Sequence, residues 1–312
     1  MRDITKSVIS TCAGLVVIGI GMFVAGVFLS GNVGLRLDFK NRKAISNTHE
    51  TVEEIKNLEK FTEMEINIPY SDVEIVEGDE YKLEYCINKD GKLQAEVSDG
   101  KLKLNYAEAD EASDFTLNVF YFGGVSGSKQ FKLYIPSDAS IKKADITLGS
   151  GNMEINSVDI GEIKIKDEFG AVDIDDIKSD KIVIEAESGS IKGGNITADE
   201  IELIDSFGSI KIDELTSKKA KLKAESGSIK IKDFEVDDVD VKSEFGSVEL
   251  SLKGQEADYS YDLDTEFGSL HVDGKKVGKE DDSDSRIKYT KDGGVKKVKA
   301  KAESGSIRID FE

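Results

Sequence analysis

From Phe61 the chain alternates apolar and polar residues with a period of two. Met64, Ile66 and Ile68 flank Glu65 and Asn67, and Val73 and Ile75 flank Glu74. Leu83, Leu102, Leu104, Phe131, Leu133 and Ile135 continue the pattern, and Pro136 predicts where that last strand stops. Such alternation describes strands with one buried face. Upstream, Thr51-Val52-Glu53-Glu54 has the form of a capping box and predicts a short helix through about Glu59.

Beyond residue 140 the alternation becomes a repeat. Gly151, Gly170, Gly189, Gly208, Gly227 and Gly246 follow one another at intervals of 19 residues, with Gly268 after 22 more and Gly305 after a further 37. Two residues after these glycines stand Met153, Val172, Ile191, Ile210, Ile229, Val248, Leu270 and Ile307. Four after stand Ile155, Ile174, Gly193, Ile212, Ile231, Leu250, Val272 and Ile309. Each unit therefore reads as strand, glycine turn, strand and a second turn such as Asp175-Asp176 or Asp213-Glu214. A unit this small cannot bury its own apolar face, whereas stacked copies share one core, so the pattern predicts a solenoid. The residue before the glycine alternates between Ser150, Ser188 and Ser226 and Phe169, Phe207 and Phe245. Either Phe packs over Ser in successive 19-residue coils, or one 38-residue coil stacks Phe on Phe. Phe267 interrupts the alternation, which predicts irregular final coils, and Lys275–Arg286 reads as an exposed insertion loop.

Five segments follow: a flank at 1–7, an apolar run at 8–29, a polar stalk at 30–60, an irregular β region at 61–140 capping the stack, and the solenoid at 141–312. Val8 to Leu29 is 22 residues without a charge. That is long enough to span a bilayer as one helix, and it lacks the compact apolar core and small-residue cleavage site of a signal peptide. Positive charge flanks both ends, through Arg2 and Lys6 and through Arg36, Lys40, Arg42 and Lys43. The flanks alone therefore argue for a cytoplasmic C-terminal side.

Charge narrows the partners. The formal net charge is −20, with +4 on residues 1–43 and −24 on the rest. A body this acidic repels nucleic acid and anionic headgroups and attracts cations and basic surfaces. Cys12 and Cys86 are too far apart in sequence and setting to suggest a disulfide framework.

Reactive constellations are sparse. His49 and His271 have no neighbours at metal-ligand spacing, so neither a metal site nor a cofactor is expected. The Ser-Gly-Ser units lack a histidine partner and repeat with the turns, which assigns them to turn geometry. Acidic turns at Asp173–Asp176 and Asp237–Asp240 leave room for weak divalent-cation binding. The glutamates two before the glycines (Glu168, Glu187, Glu225, Glu244, Glu266 and Glu303) predict a carboxylate ladder, which Lys192, Lys211 and Lys230 are placed to neutralise. No catalytic residue is expected; a polysaccharide-acting β-helix enzyme is the alternative. Phe120, Tyr121 and Phe122 form the most aromatic spot and the first candidate for partner contact.

Lys132–Pro136, Ile146–Gly151 and the serial Ser-Gly-Ser-Ile units are similar to a bacterial β-strand-repeat family labelled "putative adhesin". So are Tyr259–Gly268 and Asp273–Lys276. The resemblance covers roughly residues 60–312. It implies a right-handed β-solenoid held at a Gram-positive-type cell envelope, with no established activity. It also tips the expected orientation outward, to a single-pass membrane protein with the solenoid on the extracytoplasmic side. The expected role is a scaffold or interaction module in adhesion or envelope stress, meeting another envelope protein or a basic surface.

Overall fold

The computed structural model describes residues 32–38, 43–46, 51–107, 116–123, 130–281 and 284–312. The apolar run at 8–29 lies outside them. No helix among the described residues is long and apolar enough to cross a membrane. The chain divides into two units. In the smaller, strand Asn32–Asp38 pairs antiparallel with Lys43–Ser46 and with Thr116–Gly123. Thr51–Asn57 is a strand, not the short helix its capping-box pattern suggests. Its Val52 and Ile55 are β-branched, and the tertiary pairing available to them outweighs a local capping signal.

The larger unit holds the repeats as parallel coils. Ile191 pairs with Ile210, Ile210 with Ile229 and Ile229 with Val248, so one coil is 19 residues long. This settles the alternative left open by the sequence: Phe169 lies beside Ser188, and Ser188 beside Phe207. In the coil starting at Ile210, the side chains of Ile210, Ile212, Leu215, Ser217, Ala220, Leu222 and Ala224 all point inward and are buried. Each buried Ile or Leu contributes on the order of 1.5–3 kcal/mol relative to exposure. Where two consecutive residues are exposed, as at Asp213–Glu214 and Lys218–Lys219, the alternation slips by one and the coil bends. The second of these bends recurs at Asp199–Glu200 and Asp237–Asp238, doubled charged pairs that the two-turn reading passed over. The third bend is the glycine corner. Gly193 interrupts an isoleucine column because Ile196 and Ile212 already fill the space its side chain would take.

The stack begins earlier than residue 141. Glu63–Tyr70 and Asp72–Gly78 form a coil in register with Ile141–Ser150 and Met153–Asn156. Region 61–140 thus supplies the first coil as well as its covering. Lys101–Ala107 pairs with the outer edge of Glu63–Tyr70, and Gln130–Pro136 with that of Asp72–Gly78.

At the other end, coil order departs from chain order. The strand ending in Phe245 pairs with Lys296–Ser304, and Val248–Leu252 after it pairs with Ile307–Phe311; the other edges of these two late strands pair in parallel with Tyr259–Phe267 and Leu270–Val272. The last strands of the chain are therefore inserted between two coils that precede them. The expected irregularity at Phe267 disappears in space: Phe245, Ser304 and Phe267 continue the alternation. The described residues of Lys275–Arg286 are not a loop. They contribute strands Lys275–Val277 and Lys279–Asp281 and the start of Asp284–Lys291, which closes the stack antiparallel to Tyr259–Phe267. The Arg286 guanidinium grips Asp264 with two hydrogen bonds there and lowers its carboxyl pKa.

Candidate interaction surface

The glycine corner is the most regular feature of the stack, and close approach dictates it. A Cβ on Gly208 would fall on the carbonyl oxygen of Gly189, and one on Gly227 on that of Gly208. The other repeat glycines, Gly151, Gly170, Gly189, Gly246, Gly268 and Gly305, face the same obstacle from the neighbouring coil. Left-handed φ is a secondary matter: Gly227 has φ +157°, whereas Gly208 is not in that region. Backbone hydrogen bonds run through the corner from coil to coil, from Gly170 N–H to Ser188 O at 3.0 Å and from Gly227 N–H to Phe245 O at 2.9 Å. The following serines add a second ladder, in which Ser228 Oγ accepts from the Ser247 amide, Ser247 Oγ from Ser306, and Ser306 Oγ from Ser269.

Just before each glycine, and before Ser71 in the first coil, the chain presents one side chain outward. In spatial order these are Tyr70, Ser150, Phe169, Ser188, Phe207, Ser226, Phe245, Ser304 and Phe267. The aromatic members are strongly exposed, at 59 % for Tyr70, 58 % for Phe169, 67 % for Phe207 and 62 % for both Phe245 and Phe267. Together with Ile55 and Val295 they make up the large exposed apolar side chains among the described residues. Aromatics thus stand at every second coil, about 9.5 Å apart for parallel strands. The sequence pattern already contained this row, but it reads there as packing, either of Phe over Ser or of Phe on Phe.

One residue further back lies the carboxylate column: Glu168, Glu187, Glu225, Glu244, Glu303 and Glu266 in spatial order, with Ser206 interrupting it. Lys223 reaches Glu225 at 2.7 Å and Glu244 at 3.9 Å. Lys301 reaches Glu303 at 3.5 Å and Glu266 at 3.9 Å. Four glutamates therefore share two lysines, and the column keeps an excess of negative charge. The sequence assigned this neutralising role to Lys192, Lys211 and Lys230, but these lie past the corner on the next wall, where Lys230 pairs with Glu249 at 2.6 Å. Lys166 pairs with Glu185 in the same column as Lys223, and the other outward faces carry matched pairs between adjacent coils, such as Lys218–Asp199 and Lys232–Asp213.

Beneath the corner runs an inward column in which Ala186, Ala224 and Ala302 alternate with Asp167, Asp205, Ser243 and Thr265. Ser243 Oγ donates to Gly246 O at 3.0 Å, and Thr265 Oγ1 to Gly305 O at 2.7 Å. Asp167 and Asp205 are buried, and their carboxyl oxygens have no hydrogen-bond partner of good geometry. Burial pushes both carboxyls up to about 6; the nearby Phe169 and Phe207 amides offset only part of the rise, and Glu168 adds to it for Asp167.

The remaining candidates are dispersed. Asp175 is engaged in its turn, where Oδ1 accepts from the Asn195 amide at 2.7 Å and the Asp176 amide at 2.9 Å. Asp240 accepts from Lys299 at 3.2 Å. No cluster of three or more His, Cys, Asp or Glu disposed to hold a metal occurs among the described residues. His271 Nδ1 lies 3.4 Å from Ser269 Oγ, and His49 is outside the described residues. Phe120, Tyr121 and Phe122 belong to strand Thr116–Gly123, opposite Leu35, Gly34 and Val33, and their side chains lie outside the described residues.

Residues 61–310 match the family model described as Toastrack DUF4097. No curated protein matches the chain by sequence. Among solved structures, it is similar to a "putative adhesin" from Bacteroides fragilis NCTC 9343, with 12% identity and a TM-score of 0.51, covering 84% of this chain and 98% of the other. A "putative adhesin" from Parabacteroides distasonis ATCC 8503 is similar at 13% identity and a TM-score of 0.52, covering 84% and 97%. At such identities the likeness concerns the fold.

Proposed function

The chain belongs to the Toastrack DUF4097 family, and on that premise we propose that it is a non-enzymatic, membrane-anchored scaffold whose acidic stack engages basic partners at the cell envelope. The observation that carries this reading is the glycine corner, where four glutamates of the column share two lysines beside a row of exposed aromatics. Aromatic side chains are the commonest anchors of protein contacts, and an acidic rim steers cationic partners toward them. The uncharged run Val8–Leu29 supports a single-pass anchor. A right-handed winding and display of the stack on the extracytoplasmic side complete the proposal, as does a role in adhesion or envelope stress.

A reporter-fusion pair tests the placement. An alkaline-phosphatase fusion at Glu312 is expected to be active and a fluorescent-protein fusion there dark. The reverse pattern would put the stack in the cytoplasm and overturn the proposal.

A further inference from the structure

The corner is a row with a fixed pitch, and pitch selects a ligand. Phe169, Phe207 and Phe245 recur at about 9.5 Å, two strand spacings. An extended β-strand covers that distance in three residues, but an odd step turns successive side chains to opposite faces. An α-helix covers it in just under two turns of 5.4 Å, and the mismatch of more than ~1 Å grows at every step. A polyproline II helix makes one turn in three residues at 3.1 Å each, about 9.3 Å, and presents every third side chain to the same side. Of the regular peptide conformations, it alone keeps step with this row.

Charge selects the side chain. Each of Phe169, Phe245 and Phe267 directly follows a glutamate, and the glutamate column outnumbers its lysines. A cation over an aromatic face and beside a carboxylate gains from both. The serines between the aromatics offer short hydroxyl-bearing gaps in which a pyrrolidine ring or a backbone carbonyl can sit.

We infer that the glycine corner is a docking rail for a polyproline II segment carrying a lysine or arginine at every third residue. The inference rests on the acidic-scaffold reading and names the site and partner class within it. Each cationic side chain lies on one aromatic ring, against the preceding glutamate at Phe169, Phe245 and Phe267 and, at Phe207, against Glu187 and Glu225 of the neighbouring coils, and the Pro-rich turns bridge the intervening serine coils.

The test uses the full chain in detergent micelles and a fluorescein-labelled (Lys-Pro-Pro)5 peptide. Its controls are a peptide of the same composition with the five lysines in one block, and the neutral glycan chitohexaose. The informative variant is F207S/F245S. Serine already occupies this position in the neighbouring coils, and an unchanged circular dichroism melt verifies that the stack persists. E225Q/E244Q is the second variant, should the first fail to fold. The in-register peptide is expected to bind about tenfold more tightly than the block peptide and to lose about tenfold in F207S/F245S. Equal, salt-sensitive binding of both peptides that ignores the Phe and Glu substitutions would overturn the rail and leave the acidic scaffold standing. Failure of every cationic peptide to bind would overturn both. Phe-dependent binding of chitohexaose without peptide binding would reassign the row to glycans and overturn the inference.

Discussion

Phe245 pairs in register with Ser304, from the last strands of the chain, rather than with Phe267, the next corner residue in sequence. Ser304 in turn pairs with Phe267. The final strands thus complete a core whose two neighbouring coils are made before them. Val298, Ala300, Ala302, Ile307 and Ile309 are all buried there.

Removing residues 296–312 is therefore expected to do more than trim an end. It uncovers the inner edges of the coils at Ile229–Leu252 and Tyr259–Val272, and an uncovered parallel edge is an aggregation hazard. The truncated protein should lose amide-exchange protection over 229–291 while residues 141–226 stay protected, because repeat stacks unfold in nearest-neighbour fashion. Uniform protection across the stack would contradict the inserted-coil arrangement.

The two buried aspartates predict an inverted pH response. Burial raises their carboxyls from the usual 3.8 to about 6, so their folded form holds protons more tightly than the unfolded chain. The stability linked to these protons is complete below the unfolded value, near 4, and is lost as pH rises through about 6. Asp205→Asn should raise the melting temperature at pH 8, by an amount corresponding to about 1–3 kcal/mol, and change it little at pH 4. Equal effects at both values would show that Asp205 is not titrating in this window.

At the corner, Gly208→Ala should destabilise by more than about 1 kcal/mol, because the added carbon meets a backbone carbonyl that cannot swing aside. Ser209→Ala, one residue on, should cost under about 0.5 kcal/mol, as partly exposed positions usually do. Chemical denaturation of the two variants provides the comparison. Similar losses would mean that turn geometry rather than coil-to-coil contact governs the corner.

Much of this was legible in the sequence because a 19-residue period leaves little choice of register. The columns at Ile191, Ile210 and Ile229, the bend at Asp213-Glu214 and the strand end at Pro136 all follow from alternation and turn chemistry. Coil order was not legible at Ser304, because a 37-residue spacing from Gly268 to Gly305 is compatible with either an insertion or a swap, and only pairing decides between them. Thr51–Asn57 misled for the opposite reason: a local capping signal says nothing of distant strands. The aromatic row was visible as an alternation, but exposure is a tertiary property. An inward Phe and an outward Phe read alike when the following glycine turns the corner.

The most direct test of the central claim is the salt dependence of binding between the full-length protein, in detergent micelles, and a soluble lysine-rich polypeptide. The affinity should fall steeply between 50 and 300 mM salt, roughly the range over which the Debye length drops below ~10 Å. Absence of binding at low salt, or an affinity that does not move with salt, would contradict the account of an acidic docking surface.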